Sequence, residues 1–459
     1  MSNLALPGVY VSEQKYVLNP LQIDTRCLSA FAGISEKGPV GKPILLKSFD
    51  EYLKIYGSFD TEGVLPLSVY SFFKCGGKEC IVTRVANIET AKEAGLELEC
   101  QKGVVKIQAL TPGTWGNYLC VKLWHEYETL ESKIKEISLD FSSITLDDAE
   151  NIYEGDVLNF NFPNGRIIDR QIVRIEKNVI YFAYPLKSLK KYIKETEKIK
   201  IRQVYFSMIV SNKDKKNETY LHLSMNKNNE RYFETYINNR SNNFRISREN
   251  AEGIIKPVFS QNARNGCDGV ANLQPADFIG TYKSLDECSG IGSFETRDDI
   301  SIISVPDLCW LLNQPGKTED DCIKNYEAVQ KAMIIQAEKF QNRFAVLDMP
   351  DKFTTTEAIN YAKKLQSHSA AIYYPYLNVI DPLDSSGYKT IRMPPSGAIC
   401  GCISRTDNEK GVFHAPANCI IQGSVGLSKM VTQSEMSMLY ERNINVLKYF
   451  PGSGVKIWG

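Results

Sequence analysis

The chain has 459 residues, a length that gives a prior of roughly three domains of about 150 residues each. Lys plus Arg and Asp plus Glu number 54 each, so no global field draws it to nucleic acid or anionic lipid. No apolar run reaches the ~20 residues of a membrane-spanning helix, and the start MSNLALPGVYVSEQ lacks the basic and apolar regions of a signal peptide, which predicts synthesis in a cytoplasm.

Residues 1 to 21 are polar, with strand-like alternation around Pro7, Gly8, Val9, Tyr10, Val11, Ser12 and Glu13. Such a stretch has too few apolar residues for its own core and is expected to lie on something else, as an extended arm. From Cys27, CLSAFAGI reads as a buried strand and is followed by a loop with Gly38, Pro39, Gly41 and Pro43. SFDEYLKIYG predicts a helix capped by Ser48, with Glu51 completing a capping box. LPLSVYSFFKCGG predicts a second helix stopped at Gly76-Gly77, and CIVTRVA a strand.

Between Ala91 and Gly266 lysine, asparagine, isoleucine and tyrosine rise and helical periodicity fades. VLNFNF, RIIDRQIVRI and VIYFAY alternate apolar with polar and are divided by turn signals such as Pro163-Asn164-Gly165, which predicts a mainly antiparallel β domain inserted in an α/β chain. The lysine run KSLKKYIKETEKIKIR carries glutamates, so it reads as a solvated edge before it reads as an anion-binding face.

After Gly269 the α/β rhythm resumes. ISIISVP predicts a buried strand, and the next helix places Tyr326, Val329, Met333, Ala337 and Phe340 on one face. RFAVLDMP and AAIYYPYL predict two further strands, separated by a helix with a Thr354/Glu357 capping box that ends near Gln366. Thr432 and Glu435 cap SEMSMLYER, and NINVLKYF returns as a strand. The expected class is α/β: a helix-covered mixed or mainly parallel sheet with an inserted, mainly antiparallel β domain.

Candidate chemistry is sparse. Gly41-Lys42 is followed by Pro43, and Glu36 stands where a P-loop needs its first glycine, so both the magnesium-binding hydroxyl and an amide donor are missing. Twelve cysteines contain no CxxC, and His125, His222, His368 and His414 are far apart, which argues against zinc and for reduced thiols. Cys400 and Cys402 are expected in a strand, facing the same side. Asp348 and Asp381 follow what read as two adjacent strands, where α/β enzymes place carboxylates; a helix cap or turn is the competing reading, since no nucleophile and base complete a set. No catalytic, cofactor or metal residues are assigned.

The chain also carries a distinctive series of motifs. PGVYVSE is followed by IDTRCLSAFAGISEKGPVGKP, YSFFKCGGKECIVTRVA, ALTPGTWGN, NGCDGVANLQPADFIG, MPPSGAICGCISRTDNEKGVFHAPAN and RNINVLKYFPGSGVKIWG. The series resembles contractile tail sheath proteins, the family shared by myophage tails, R-type tailocins and extracellular contractile injection systems. The motif positions are Pro112, Gly113, Trp115, Gly116, Asn117, Asp268, Gly269, Pro394, Pro395, Ser396, Gly397, Arg405, Thr406, Asp407, Pro416, Ala417, Asn418, Asn445, Pro451, Gly452, Gly454, Trp458 and Gly459.

The resemblance implies a non-enzymatic structural subunit. It would polymerise as stacked hexameric rings around an inner tube and contract to drive that tube through a target envelope, with baseplate and terminal cap proteins as further partners. It also implies that residues 1–21 link subunits, that 22–90 and 267–459 form the sheath core without the family's C-terminal portion, and that 91–266 protrude. A minor baseplate-proximal sheath subunit and an α/β hydrolase-like enzyme using Asp348 or Asp381 are the competing readings. Assembly is expected in a bacterial cytoplasm, as part of a phage tail or a released tail-like particle.

Overall fold

The computed structural model describes residues 27–212, 217–284 and 286–458. The stretch Pro7 to Glu13, expected as a linking arm, and Gly459 lie outside the described residues. The fold is mixed α/β with several sheets, whose strand pairings are mostly antiparallel and in part parallel.

An eight-stranded sheet draws its strands from both ends of the described chain. Its order is Ile44–Leu46, Cys80–Arg84, Ser29–Gly33, Ile302–Ser304, Phe344–Asp348, Ala370–Tyr374, Ile444–Phe450, Gly454–Ile457. The six inner strands pair in parallel, and only the two edge strands run antiparallel. Alternate side chains enter two separate cores. Ala30, Ala32, Ala345, Leu347 and Ile372 face Tyr326, Val329 and Met333 of the Glu319–Phe340 helix. Phe31, Val346 and Tyr373 face Val69 and Phe72 of the Leu65–Lys74 helix and Ile399 of the Ser396–Lys410 helix. Both faces are covered, so the strands read as continuous apolar runs.

The strands between Gly95 and Asn262 take no place in that sheet. They form a nine-stranded sheet and a three-stranded sheet, all antiparallel, around two further cores. A last three-stranded sheet joins Leu377–Ile380, Thr390–Met393 and Ser424–Leu427.

The caps follow local chemistry. Thr354 with Glu357 and Thr432 with Glu435 form full capping boxes. Ser48 accepts from the Glu51 amide, but the Glu51 carboxylate reaches back to the Lys47 amide at 2.7 Å, one residue before the expected partner. The Thr355–Ala362 helix ends before Gln366. The lysine run begins as two short 3-10 turns, at Lys187–Tyr192 and Thr196–Lys198, with Lys198 paired to Glu195.

The largest correction concerns Cys400 and Cys402, which lie in the Ser396–Lys410 helix and not in a strand. Apolar and small residues alternate in GAICGCI, which mimics a strand. The helix is preferred because it sets Gly397 and Gly401 four residues apart on one face, against another helix.

Candidate functional site: an arginine joint and a glycine seam

Two passages of chain link the parallel-sheet part to the residues between 91 and 266, and they are zipped together. Lys92 and Cys267 exchange both amide hydrogen bonds at 2.9 Å, as do Gly95 and Arg264, and the Asn87 amide donates to the Gly269 carbonyl at 2.9 Å. The Asn117 side chain adds a two-way bond to the Gly266 backbone, at 2.8 and 3.0 Å.

Arg84 stands at the centre of this joint. It is the last residue of the Cys80–Arg84 strand and is wholly buried. Its Nη1 donates to the carbonyls of Gly38 and Pro112 at 3.1 and 2.7 Å, and its Nη2 lies 3.5 Å from Asp268 Oδ1. Asp268 also accepts from the Thr114 amide at 3.1 Å and the Thr114 hydroxyl at 2.6 Å. Burial pushes the Arg84 guanidinium below its ordinary range, and the Asp268 carboxylate opposes that shift. Gly113, at a φ of 145°, lets the chain turn under Trp115, where a Cβ would meet the indole at 2.5 Å. The motif residues Pro112, Gly113, Trp115, Gly116, Asn117, Asp268 and Gly269 thus meet at one place. Sequence reasoning missed Arg84; its signal was a lone cation inside a buried apolar strand.

The second constellation is a helix seam. A Cβ on Gly397 would lie 2.5 Å from the Ser68 carbonyl oxygen, and one on Gly401 2.4 Å from that of Phe72. Only glycine allows the Leu65–Lys74 and Ser396–Lys410 helices this approach. Pro394 and Pro395 precede the helix, and the Ser396 amide donates to Asp348 Oδ1 at 2.9 Å, a carboxylate at the positive end of a helix. The Asp348 carbonyl accepts from Tyr326 and Gln330, at 2.9 and 2.7 Å.

Asp381 is elsewhere. It follows the Leu377–Ile380 strand of the small sheet, pairs with Lys389 at 2.8 Å and accepts from the Leu383 amide. The two carboxylates expected on adjacent strands therefore belong to different sheets, because the chain leaves the main sheet at Pro375. The loop at Gly38, Gly41 and Pro43 is packed closed, with Cys288 donating to the Gly41 carbonyl at 3.3 Å.

The remaining motif residues support the C-terminal strands. Arg405 Nη2 donates to the Ile420 carbonyl at 3.4 Å and Thr406 to the Cys402 carbonyl at 2.8 Å, while burial pushes the Asp407 carboxyl above its ordinary range. Following Pro416 and Ala417, the Asn418 amide donates to the Ile457 carbonyl at 2.7 Å. The Asn445 side chain donates to the Ile372 carbonyl at 3.2 Å. Pro451, Gly452 and Gly454 form the turn of the last hairpin, and Trp458 packs against Phe450 with the rings tilted by 56° and their centres 4.9 Å apart. Among the described residues no group of three or more His, Cys, Asp or Glu is placed to hold a metal ion.

Two buried carboxylates give the fold a pH dependence. Burial pushes Asp348 up to about 7 against the bond from the Ser396 amide. It also pushes Asp307 up to about 7 against the amides of Ile34, Val64 and Leu65. Both values are raised above the ~4 of an unfolded chain, so the folded state binds more protons between these limits. Their contribution is fully present below pH 4 and is lost as pH rises through 7. Urea midpoints of the wild type are expected to fall from pH 5 to pH 8, and Asp348→Asn should shrink that fall. An equal fall in both proteins would refute the assignment to Asp348.

Several solved structures resemble the fold. The sheath tail protein from Listeria innocua aligns at 9% identity and a TM-score of 0.49, covering 94% of this chain and 68% of that one. The sheath tail protein from Desulfitobacterium hafniense gives 12% and 0.49, covering 98% and 74%. The helical sheath of the anti-feeding prophage in its contracted state gives 14% and 0.40, covering 99% and 67%. A search of curated proteins finds no match. The family model of the phage tail sheath protein central domain matches residues 315–459, which contain the glycine seam's second helix, the small sheet and the final hairpin. Over residues 315–459, then, this chain is similar to the phage tail sheath protein central domain.

Proposed function

We propose that the chain is a structural sheath subunit. It polymerises as stacked hexameric rings around an inner tube and contracts to drive that tube through a target envelope. The observation that carries this reading is the match of residues 315–459 to the sheath central domain, together with the ordered motif series across the rest of the chain. The subunit performs mechanical work from energy held in its lattice and has no catalytic role. Its partners are further copies of itself, an inner tube protein, a baseplate and a terminal cap, without nucleic acid. It is assembled in a bacterial cytoplasm into a phage tail or tail-like particle.

Within this reading 22–90 and 267–459 form the sheath core, 91–266 protrude from it, and the arginine joint fixes one to the other. Joints of this kind suit a lattice that moves subunits as rigid bodies. Residues 1–21, with Pro7 to Glu13 as their strand-forming part, link neighbouring subunits by adding a strand to a sheet edge.

Removing residues 1–21 tests the linkage. The truncated subunit is expected to keep the circular dichroism and melting of the intact chain and to form no tubes in micrographs. Tubes that still assemble would remove the arm from the linkage, and an unfolded product would assign it to its own subunit's sheet.

A further inference from the structure

The lower end of the glycine seam holds a cluster of thiols that the mechanical reading does not use. Cys75 closes the Leu65–Lys74 helix, Cys402 lies on the Ser396–Lys410 helix, and Cys419 lies on the segment that follows it. Cys75 and Cys402 are wholly buried, on the two helices where they come closest. The approach is close because Gly401 separates the helices by no side chain: a Cβ there would lie 2.9 Å from Cys75 Cβ. The two sulfurs sit side by side over one segment, Cys75 Sγ 3.8 Å from the Gln422 carbonyl and Cys402 Sγ 3.8 Å from that of Ile420. The Arg405 guanidinium lies 4.0 Å from Cys402 Sγ.

We propose that Cys75 and Cys402 are a modification site: they form an intramolecular disulfide when the subunit meets an oxidising low-molecular-weight disulfide, stapling the two seam helices together.

The chemistry balances as thiol-disulfide exchange. The Cys75 thiolate attacks one sulfur of the small disulfide, forming a mixed disulfide and expelling one small thiolate. Cys402, its proton passing to solvent, then attacks the Cys75 sulfur and expels the second. The protein loses two electrons and two protons, and the small disulfide leaves as two thiols. Cys75 is the suitable attacking group, because Cys402 beside it, the Gln422 backbone and the charges of Arg405 and Lys74 hold its thiol below the usual range against its burial. Both thiols lie under the segment from Asn418 to Gly423, which is hydrogen-bonded to the last strand, so reagent reaches them only when those bonds open and the exchange is expected to be slow.

The staple joins residues from opposite parts of the sequence, so it closes a very long loop and restricts the unfolded chain strongly. A subunit folded under reducing conditions would thereby become harder to unfold once outside them. The inference stands on the thiol geometry and does not depend on the sheath reading.

The test treats the reduced full chain with oxidised glutathione, blocks remaining thiols with N-ethylmaleimide, and maps the digested peptides by mass spectrometry. The expected product is one cross-linked peptide pair joining Cys75 to Cys402, lighter by two hydrogens and reversed by dithiothreitol. Its formation should raise the melting temperature by several degrees. Cys75→Ala should abolish the link and the rise, and Cys419→Ala should keep both. Thiols that stay alkylatable, glutathione adducts without an internal link, or a bond from Cys402 to Cys419 would each overturn the proposal. Should a variant fail to fold, the wild-type peptide map decides alone.

Discussion

Arg84→Ala is expected to cost about 3 kcal/mol, since it removes two hydrogen bonds from a buried charged donor while Asp268 stays partly exposed to water. The substitution leaves the carbonyls of Gly38 and Pro112 without their donor and takes away the cation facing Asp268. Those groups come from three separate stretches of chain, so no neighbouring side chain can replace the guanidinium. Arg84→Lys should recover little, because one ammonium cannot reach two carbonyls and a carboxylate in the same planar geometry. Urea denaturation of the three proteins measures the effect. A loss below about 1 kcal/mol for Arg84→Ala, the size of an ordinary net hydrogen bond, would show that the joint is held by its backbone zipper alone.

Gly401→Val is expected to cost about 3 kcal/mol, at the upper end of overpacking substitutions. Its Cβ would sit 2.4 Å from a backbone oxygen, which cannot swing away as a side chain can. The two helices must separate, and the cores on that face of the sheet lose contact along the seam. Gly397→Val should behave alike, since its Cβ meets the Ser68 backbone at 2.5 Å. Gly387→Ala serves as a contrast, because nothing lies within 4 Å of its Cβ position; its φ of 72° carries a backbone cost but no collision. Comparable losses at positions 387 and 401 would mean that the seam is not close-packed.

Local chemistry was legible in the sequence. The strands Ser29–Gly33, Cys80–Arg84, Phe344–Asp348 and Ala370–Tyr374 fall inside the runs that apolar content marks out, and Thr354 and Thr432 cap the helices they precede. The switch to alternating strands after Ala91 was visible because antiparallel sheets keep one face wet.

What was hidden depends on distant partners. Asp307 accepts from Ile34 across 273 positions, and nothing beside Asp307 in the sequence announces that bond. Arg84 looked like one polar residue in a strand until Pro112 and Asp268 arrived beside it. Cys400 and Cys402 lie in a helix despite their strand-like spacing, because the pattern of GAICGCI is set by a neighbouring helix, not by a sheet. Asp348 and Asp381 are equivalent by sequence, each at a strand end, and the turn at Pro375 sends the second into another sheet.

Electron microscopy of particles made from the native operon tests most directly the proposal that this chain builds a contractile sheath. The expected result is tubes in which this chain forms an outer layer of six-fold rings around a narrower tube, and which become shorter and wider when triggered. Dispersed single subunits, or particles whose outer layer lacks this chain, would contradict it.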